Sequence, residues 1–442
     1  AASAGTFIGS PGVAYSTGFS WVIILLTQVG MGVYILGILG KKFAIVARKI
    51  NAVTLTDFFK ERYQSKTVVL GSAIGIIVFI SAYMVAQFVG GARILESVTG
   101  FPYKSGLLIF GLAVVLYTVY GGFRAVAITD AIQGLIMIFG GVLLWIFFFI
   151  KTDGFSGLIG TIVSEHPELV ELPGPSGATP LMLFSYFMLF GIAAIGLPHA
   201  SVRGMTFKDT ESMHKSIIYS GIIMALFSIF FATLGPFVRV LYPDLSTPDM
   251  ALPTLILGIM PGWLAGVVLA APLAATMSTV NSMLLVTSSS IVKDIYLNYI
   301  NPNASERKIA KLSYFATLII GVGVVLFALT PPEYLQYLVV YAIGGLEATF
   351  FAPIVFGLYW KRANTWGAIV SMYSGLFSYI ILDYFFKTPF GMHTIVSATA
   401  ISIVMMIIVS YLTPQPSGEV IQKFWGFQKK VKASTSIKKQ PV

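Results

Sequence analysis

The stretch from Ala271 to Tyr296, APLAATMSTVNSMLLVTSSSIVKDIY, is an apolar helical pattern that carries hydroxyl and amide groups. Ala275, Ser278, Thr279 and Ser282 stand at i, i+3, i+4 and i+7, so a helix gathers them into one stripe. Oxygens in such a stripe suit hard cations, provided a neighbouring helix is unwound and adds its carbonyls. The same spacing suits hydroxyls that bond back to their own i−4 carbonyls or tie one helix to another, and spacing alone leaves both roles open. Two carboxyls fall inside apolar runs: Asp130, after Gly121-Gly122, and Glu347, after Gly344-Gly345. An ionisable group there marks function by default. The plain alternatives are a helix cap for Asp130 and a structural pair for Glu347. Arg93 and Glu96 are spaced to bridge at i, i+3. His199 reads as a loop residue, a proton carrier being its sharper role. The sequence offers no His/Cys ligand cluster, no phosphate-binding Gly loop and no nucleophile with a base in reach, so enzymatic chemistry is not expected.

These groups have to be held by membrane helices. Of 442 residues, 56% are hydrophobic and only 10% charged, with mean hydropathy +0.85, far from the balance of soluble domains. Apolar runs of helical length recur at 19–40, 68–98, 103–121, 126–150, 178–200, 216–240, 255–297, 309–329, 335–360, 365–386 and 393–412. Each is long enough for a hydrocarbon core of about 30 Å. The net charge of +10 is a matter of topology rather than of nucleic-acid binding. Lys41, Lys42, Arg48, Lys49, Arg62 and Lys66 form one basic loop, Arg203, Lys208 and Lys215 a second, and Lys293, Arg307, Lys308 and Lys311 a third. These loops, and the tail with Lys429, Lys430 and Lys432, are expected on the cytoplasmic side. Cysteine is absent and says nothing about redox compartment.

Residues 1–18 are too short for a normal crossing, so the chain is expected to start inside its first helix, with the N-terminal part missing. Matching interruptions open two blocks of helices: Ser3, Ala4 and Gly5 with Pro11 and Gly12 in one, Gly191, Gly196 and Pro198 in the other. Two blocks of five spans insert with opposite topology, and paired breaks point to a mid-membrane site. The expected divisions are a first inverted repeat at 1–151, an outward loop at 152–177, a second repeat at 178–362, two additional helices at 363–412 and a basic tail at 413–442.

Several long segments carry a family resemblance: FIGSPGVAYSTG, GILGKKFAIVARKINAVTLTDFF, QFVGGARILESVTGFPY, YTVYGGFRAVAITDAIQGLIM, GLPHASVRGMTFKD, AAPLAATMSTVNSMLL with SSSIVKDIYLN, and GGLEATFFAPIVFGLYWKRAN. The chain resembles the sodium/solute symporters almost end to end, and within them the bacterial sodium/pantothenate symporters. The resemblance implies an all-α polytopic membrane protein with a leucine-transporter-like fold, two inverted five-helix repeats plus extra helices. It implies a principal sodium site at Ala2, Ala275, Ser278 and Thr279, one further carbonyl falling before residue 1. A second sodium site would use Asp130, Ser278, Asn281 and Ser282, with Asn281 departing from the serine pattern. Substrate contacts carry over to Ser3, Thr6, Gln28 and Tyr83.

The expected function is sodium-coupled import of a small organic anion, pantothenate first, by alternating access. Its partners would be the sodium ion, a small carboxylate and the lipid bilayer. Import of another carboxylate or an amino acid, and a non-transporting membrane sensor on the same fold, are the alternatives. The expected location is a bacterial inner (plasma) membrane, crossed many times, with the C-terminus cytoplasmic.

Overall fold

The computed structural model describes residues 3–27, 33–52, 54–152, 154–175, 179–198 and 210–426, and among them the backbone is helical without a strand. Apolar surroundings impose this, because a helix satisfies its N–H and C=O groups within itself. In chain order the helices are α1, a wide turn at Gly5–Gly9 followed by Ser10–Thr17; α2, Phe19–Leu26; and α3, Val33–Gly40 running into Lys41–Ile50. Next come α4, Leu55–Tyr63; α5, Lys66–Thr99; α6, Tyr103–Lys151; and α7, Gly154–Glu165. The next, α8, starts at Pro180–Phe187, widens at Met188–Ile192 and tightens at Ala193–Gly196. Then follow α9, Thr210–Leu241; α10, Ala251–Ile259; α11, Gly262–Ser289 extended by wide turns at Ser290–Ile300; and α12, Glu306–Phe327. The last are α13, Leu335–Tyr359; α14, Thr365–Phe385; α15, Thr394–Leu412; and α16, Gly418–Trp425. Among the described residues nine helical stretches are long and apolar enough to cross a membrane.

Four sequence expectations change. The span expected at 255–297 is two helices, α10 and α11, because Pro261 drives Met260 into an extended conformation (φ −116°, ψ 149°) and ends α10 there. The runs 103–121 and 126–150 share one continuous helical backbone of 49 residues, within which Tyr103–Gly121 and Ile128–Lys151 are each of spanning length. Straight, that backbone would measure about 74 Å, more than twice the hydrocarbon thickness, so it cannot be one crossing. The segment expected as a loop at 152–177 contains α7, whose glycines look like breakers but whose Ile162 is fully buried and anchors it. Pro11 and Gly12 do not interrupt α1. Pro11 directly follows the wide turn at Gly5–Gly9 and lies at the start of the α-helical part Ser10–Thr17, and Gly12 is small so that Pro248 and Asp249 can pack on it.

The core sits around α1, which is buried along most of its length although it is short. On α5, Gly90 lets three elements converge: a Cβ there would lie 2.7 Å from Ala4, 3.1 Å from Leu335 and 3.5 Å from Thr276. Helices α1, α11 and α13 therefore meet at one point on α5. Further along α1, Gly235 of α9 lies against Pro11 and Ala14. Helices α14 and α15 pack on each other and on α13. Across α3 and α4 lies α16, with Phe424 edge-on to Phe58, Lys423 paired with Glu61, and Lys49 bonded to the carbonyls of Gln422 and Gly426.

Candidate functional site

The first polar cluster forms where α1 starts. Ser3 precedes the helix, and its carbonyl accepts from the N–H groups of Thr6 (3.0 Å) and Phe7 (3.1 Å). Its hydroxyl lies 3.4 Å from that of Tyr83 on α5. One turn further along α5, the buried Gln87 accepts from the Ala4 N–H at 2.8 Å, while its Nε2 has no partner among the described residues. From α13, Gln336 brings an equally buried and partnerless Oε1 to the same place. A Cβ at Gly9 would lie 2.5 Å from this oxygen and one at Gly5 3.1 Å, so both glycines keep space for the amide. The resulting wall is polar and uncharged, with donors from Ser3, Tyr83 and Gln87 and an acceptor from Gln336.

The second cluster belongs to α11. Ser278 Oγ and Thr279 Oγ1 both donate to the Ala275 carbonyl, at 3.2 and 2.8 Å. Three oxygens thus converge on one face of the helix. A hydroxyl that donates its hydrogen keeps two lone pairs, which remain available to a cation. Ser282 instead donates to Asp130 Oδ2 of α6 at 3.3 Å. Asn281, expected beside them, turns its Oδ1 to α6, where it accepts from Tyr117 and, at 2.8 Å, from Thr118. Its oxygen already has two donors and would have to leave them to ligate an ion.

The structure brings Ser3 and Tyr83 together, keeps Ala275, Ser278 and Thr279 together, and joins Asp130 to Ser282. Thr6 takes part through its backbone. Ala2, Gln28 and His199 lie outside the described residues. Arg93 and Glu96 form the expected bridge at 2.8 Å. Gln87 and Gln336 are additions that the sequence pattern does not single out. Gln87 is signalled only by an amide four residues beyond Tyr83 in an apolar run, hence on the same helical face; Gln336 stands at a helix start and reads as interfacial. Open N–H groups at the break would suit an anion, yet those of Ala4, Thr6 and Phe7 are taken.

A sequence model of the sodium:solute symporter family matches residues 1–375. The chain is 41% identical to the sodium/pantothenate symporter of Escherichia coli (strain K12) over 412 residues, covering 92% of this chain and 84% of that protein. It is 31% identical to the osmoregulated proline transporter OpuE of Bacillus subtilis (strain 168), over 96% of this chain and 87% of that one. Among solved structures, a substrate-bound, outward-open Na+-coupled sialic acid symporter superposes with TM-score 0.74 at 20% identity, covering 94% of this chain and 88% of that chain. Mhp1, a nucleobase-cation-symport-1 family transporter, superposes with TM-score 0.57 at 15% identity, covering 96% and 92%.

Proposed function

The chain belongs to the sodium:solute symporter family, and from that membership we propose that it imports pantothenate together with sodium by alternating access. Membership makes it a membrane transporter of small solutes whose co-transported ion is sodium. The observation that carries the substrate is the relationship to the pantothenate symporter over nearly the whole chain, next to a polar wall without a basic side chain. Pantothenate offers a carboxylate, an amide and two hydroxyls. We assign the carboxylate to the hydroxyls of Ser3 and Tyr83 and the Gln87 amide, and a substrate hydroxyl to Gln336 Oε1; Thr6 and Gln28 complete the assignment.

Sodium is assigned to Ala2, Ala275, Ser278 and Thr279, the family match being supported by three oxygens converging on α11. A second ion is assigned to Asp130, Ser278 and Ser282, with Asn281 entering once it releases Tyr117 and Thr118. The proposal keeps inverted repeats at 1–151 and 178–362, and a cytoplasmic C-terminus because the basic loops lie on that side. An amino-acid substrate is the second reading, favoured by the proline transporter among the relatives. Sodium-driven uptake of labelled pantothenate in proteoliposomes tests the first. Uptake should be competed by unlabelled pantothenate and not by its carboxylate-free alcohol. Competition by proline, or equal competition by the alcohol, overturns the assignment.

A further inference from the structure

Glu347 is 0% exposed and stands at the midpoint of the 25 residues of α13. Neither of its carboxyl oxygens has a hydrogen-bond partner among the described residues. An ionised carboxylate with neither donor nor counter-ion in an apolar interior is untenable; such a group takes up a proton or a cation. A cation would need several further oxygens in reach. Among the described residues no cluster of carboxylates stands beside Glu347 to supply them. Gly196, at the end of the second helix break, rests directly on it, since a Cβ there would lie 2.8 Å from Glu347 Cα and 3.0 Å from its carbonyl oxygen. Gly344, one turn earlier on the same face, carries the Tyr379 hydroxyl of α14, a Cβ there lying 2.5 Å from it. That hydroxyl is also buried and partnerless among the described residues.

The other titratable groups stand further round. Tyr341 of α13 lies with its ring centroid 5.5 Å from that of Tyr379, Asp383 stands one turn after Tyr379 on α14, and Tyr186 of α8 lies 5.7 Å from the His393 ring. The ring of His393, just before α15, is tilted against that of Tyr379 with centroids 6.4 Å apart. From α5 the side chain over Gly345 is Phe79, which does not titrate, and the tyrosine of that helix, Tyr83, is engaged with Ser3. The break at Ala193–Gly196 brings no titratable side chain.

We propose that Glu347 is a proton-binding site, neutral in this conformation and exposed to water when the second helix break lifts off α13. Proton loss then favours the lifted arrangement, because a carboxylate is stable only where water reaches it. The dependence on conformational change rests on the transport reading above; the protonation does not.

Infrared spectroscopy of the membrane-reconstituted protein with 13C-labelled glutamate tests the protonation without any transport. The protonated-acid carbonyl band should shift with the label and be lost in Glu347→Gln. Absence of an acid band assigned to glutamate, or its persistence in Glu347→Gln, overturns the proposal. The labelled native protein decides the matter even if the variant fails to fold. For the conformational part, native uptake should fall by about tenfold per pH unit above the titration midpoint, the limit for one proton, and that of Glu347→Gln by less than about twofold. Identical pH profiles overturn that part. Should uptake be absent from the native protein as well, the transport reading fails while the infrared band still decides the proton.

Discussion

The Ala275 carbonyl receives two hydroxyls, and that geometry determines what a substitution at Ser278 or Thr279 does. Each hydroxyl satisfies itself within its own helix, so removing one leaves no buried donor stranded and costs the fold little. The loss falls on whatever cation used its lone pairs. Replacing both by alanine should raise the sodium concentration for half-maximal uptake by at least about tenfold, since a hard cation then loses two of the few oxygens that coordinate it, while thermal unfolding moves little. An unchanged sodium dependence would remove both residues from the ion site. These two positions are legible in the sequence because their relation is local, set by the period of one helix. Gln87 and Gln336 are not, since their meeting at the first break depends on how α5 and α13 pack against α1. Asn281 shows the same limit. Its position on α11 is readable, whereas the hydroxyls of Tyr117 and Thr118 that capture its oxygen belong to another helix.

At the scale of elements, close packing around the short α1 makes certain glycines irreplaceable. A Cβ on Gly235 would run into the Pro11 carbonyl and lie 2.6 Å from the Ala14 Cβ, and the backbone on either side has no room to yield. Gly235→Ala should destabilise the protein by about 1–3 kcal/mol, the usual cost of overpacking. Gly134 of α6 has nothing within 4 Å of such a Cβ, and Gly134→Ala should stay within about 0.5 kcal/mol of the native protein. Thermal unfolding in one detergent compares them; equal shifts would mean that α1 and α9 are not tightly apposed. Asp249, ahead of α10, joins three elements. It sits against Gly12 of α1, accepts from the Leu335 N–H of α13 at 3.0 Å and faces Arg93 of α5. Burial pushes its carboxyl up to about 7, against the pull of the Leu335 N–H and Arg93. The folded form therefore binds more protons than the unfolded one between the ordinary carboxylate range and about 7, so stability falls as pH rises through that window. The slope should flatten in Asp249→Asn; an unaltered slope would assign it to another group. The long spanning helices are readable from apolar length, and the second break from Gly191 and Gly196, whereas the short helices α4, α7 and α16 lie in segments expected as loop or tail. The division of 255–297 escapes the sequence reading although Pro261 announces it, because an unbroken apolar composition outweighs one backbone signal.

At the scale of the whole molecule the membrane potential distinguishes one bound sodium from two, because it counts only the net charge that moves. One elementary charge crossing is worth about 2.3 kcal/mol per 100 mV. One sodium with one pantothenate anion carries no net charge, so the potential would add nothing to accumulation. Two sodiums carry one positive charge inward, and about 100 mV would then multiply the attainable accumulation ratio by roughly fifty, at 1.4 kcal/mol per tenfold. The contact between Asp130 and Ser282 favours two ions, because it pairs a carboxylate with a hydroxyl on the helix that carries the oxygens of Ala275, Ser278 and Thr279, the proposed first site. The captured Asn281 oxygen weighs against it, since the second ion would have to draw that amide from Tyr117 and Thr118. The expected outcome is a sodium:substrate ratio of two in the native protein, read as a reversal potential in proteoliposomes with equal pH on both sides. In Asp130→Asn the ratio should fall to one and the voltage dependence of accumulation should vanish. A native ratio of one would eliminate the second site and leave Asp130 as a link between α6 and α11.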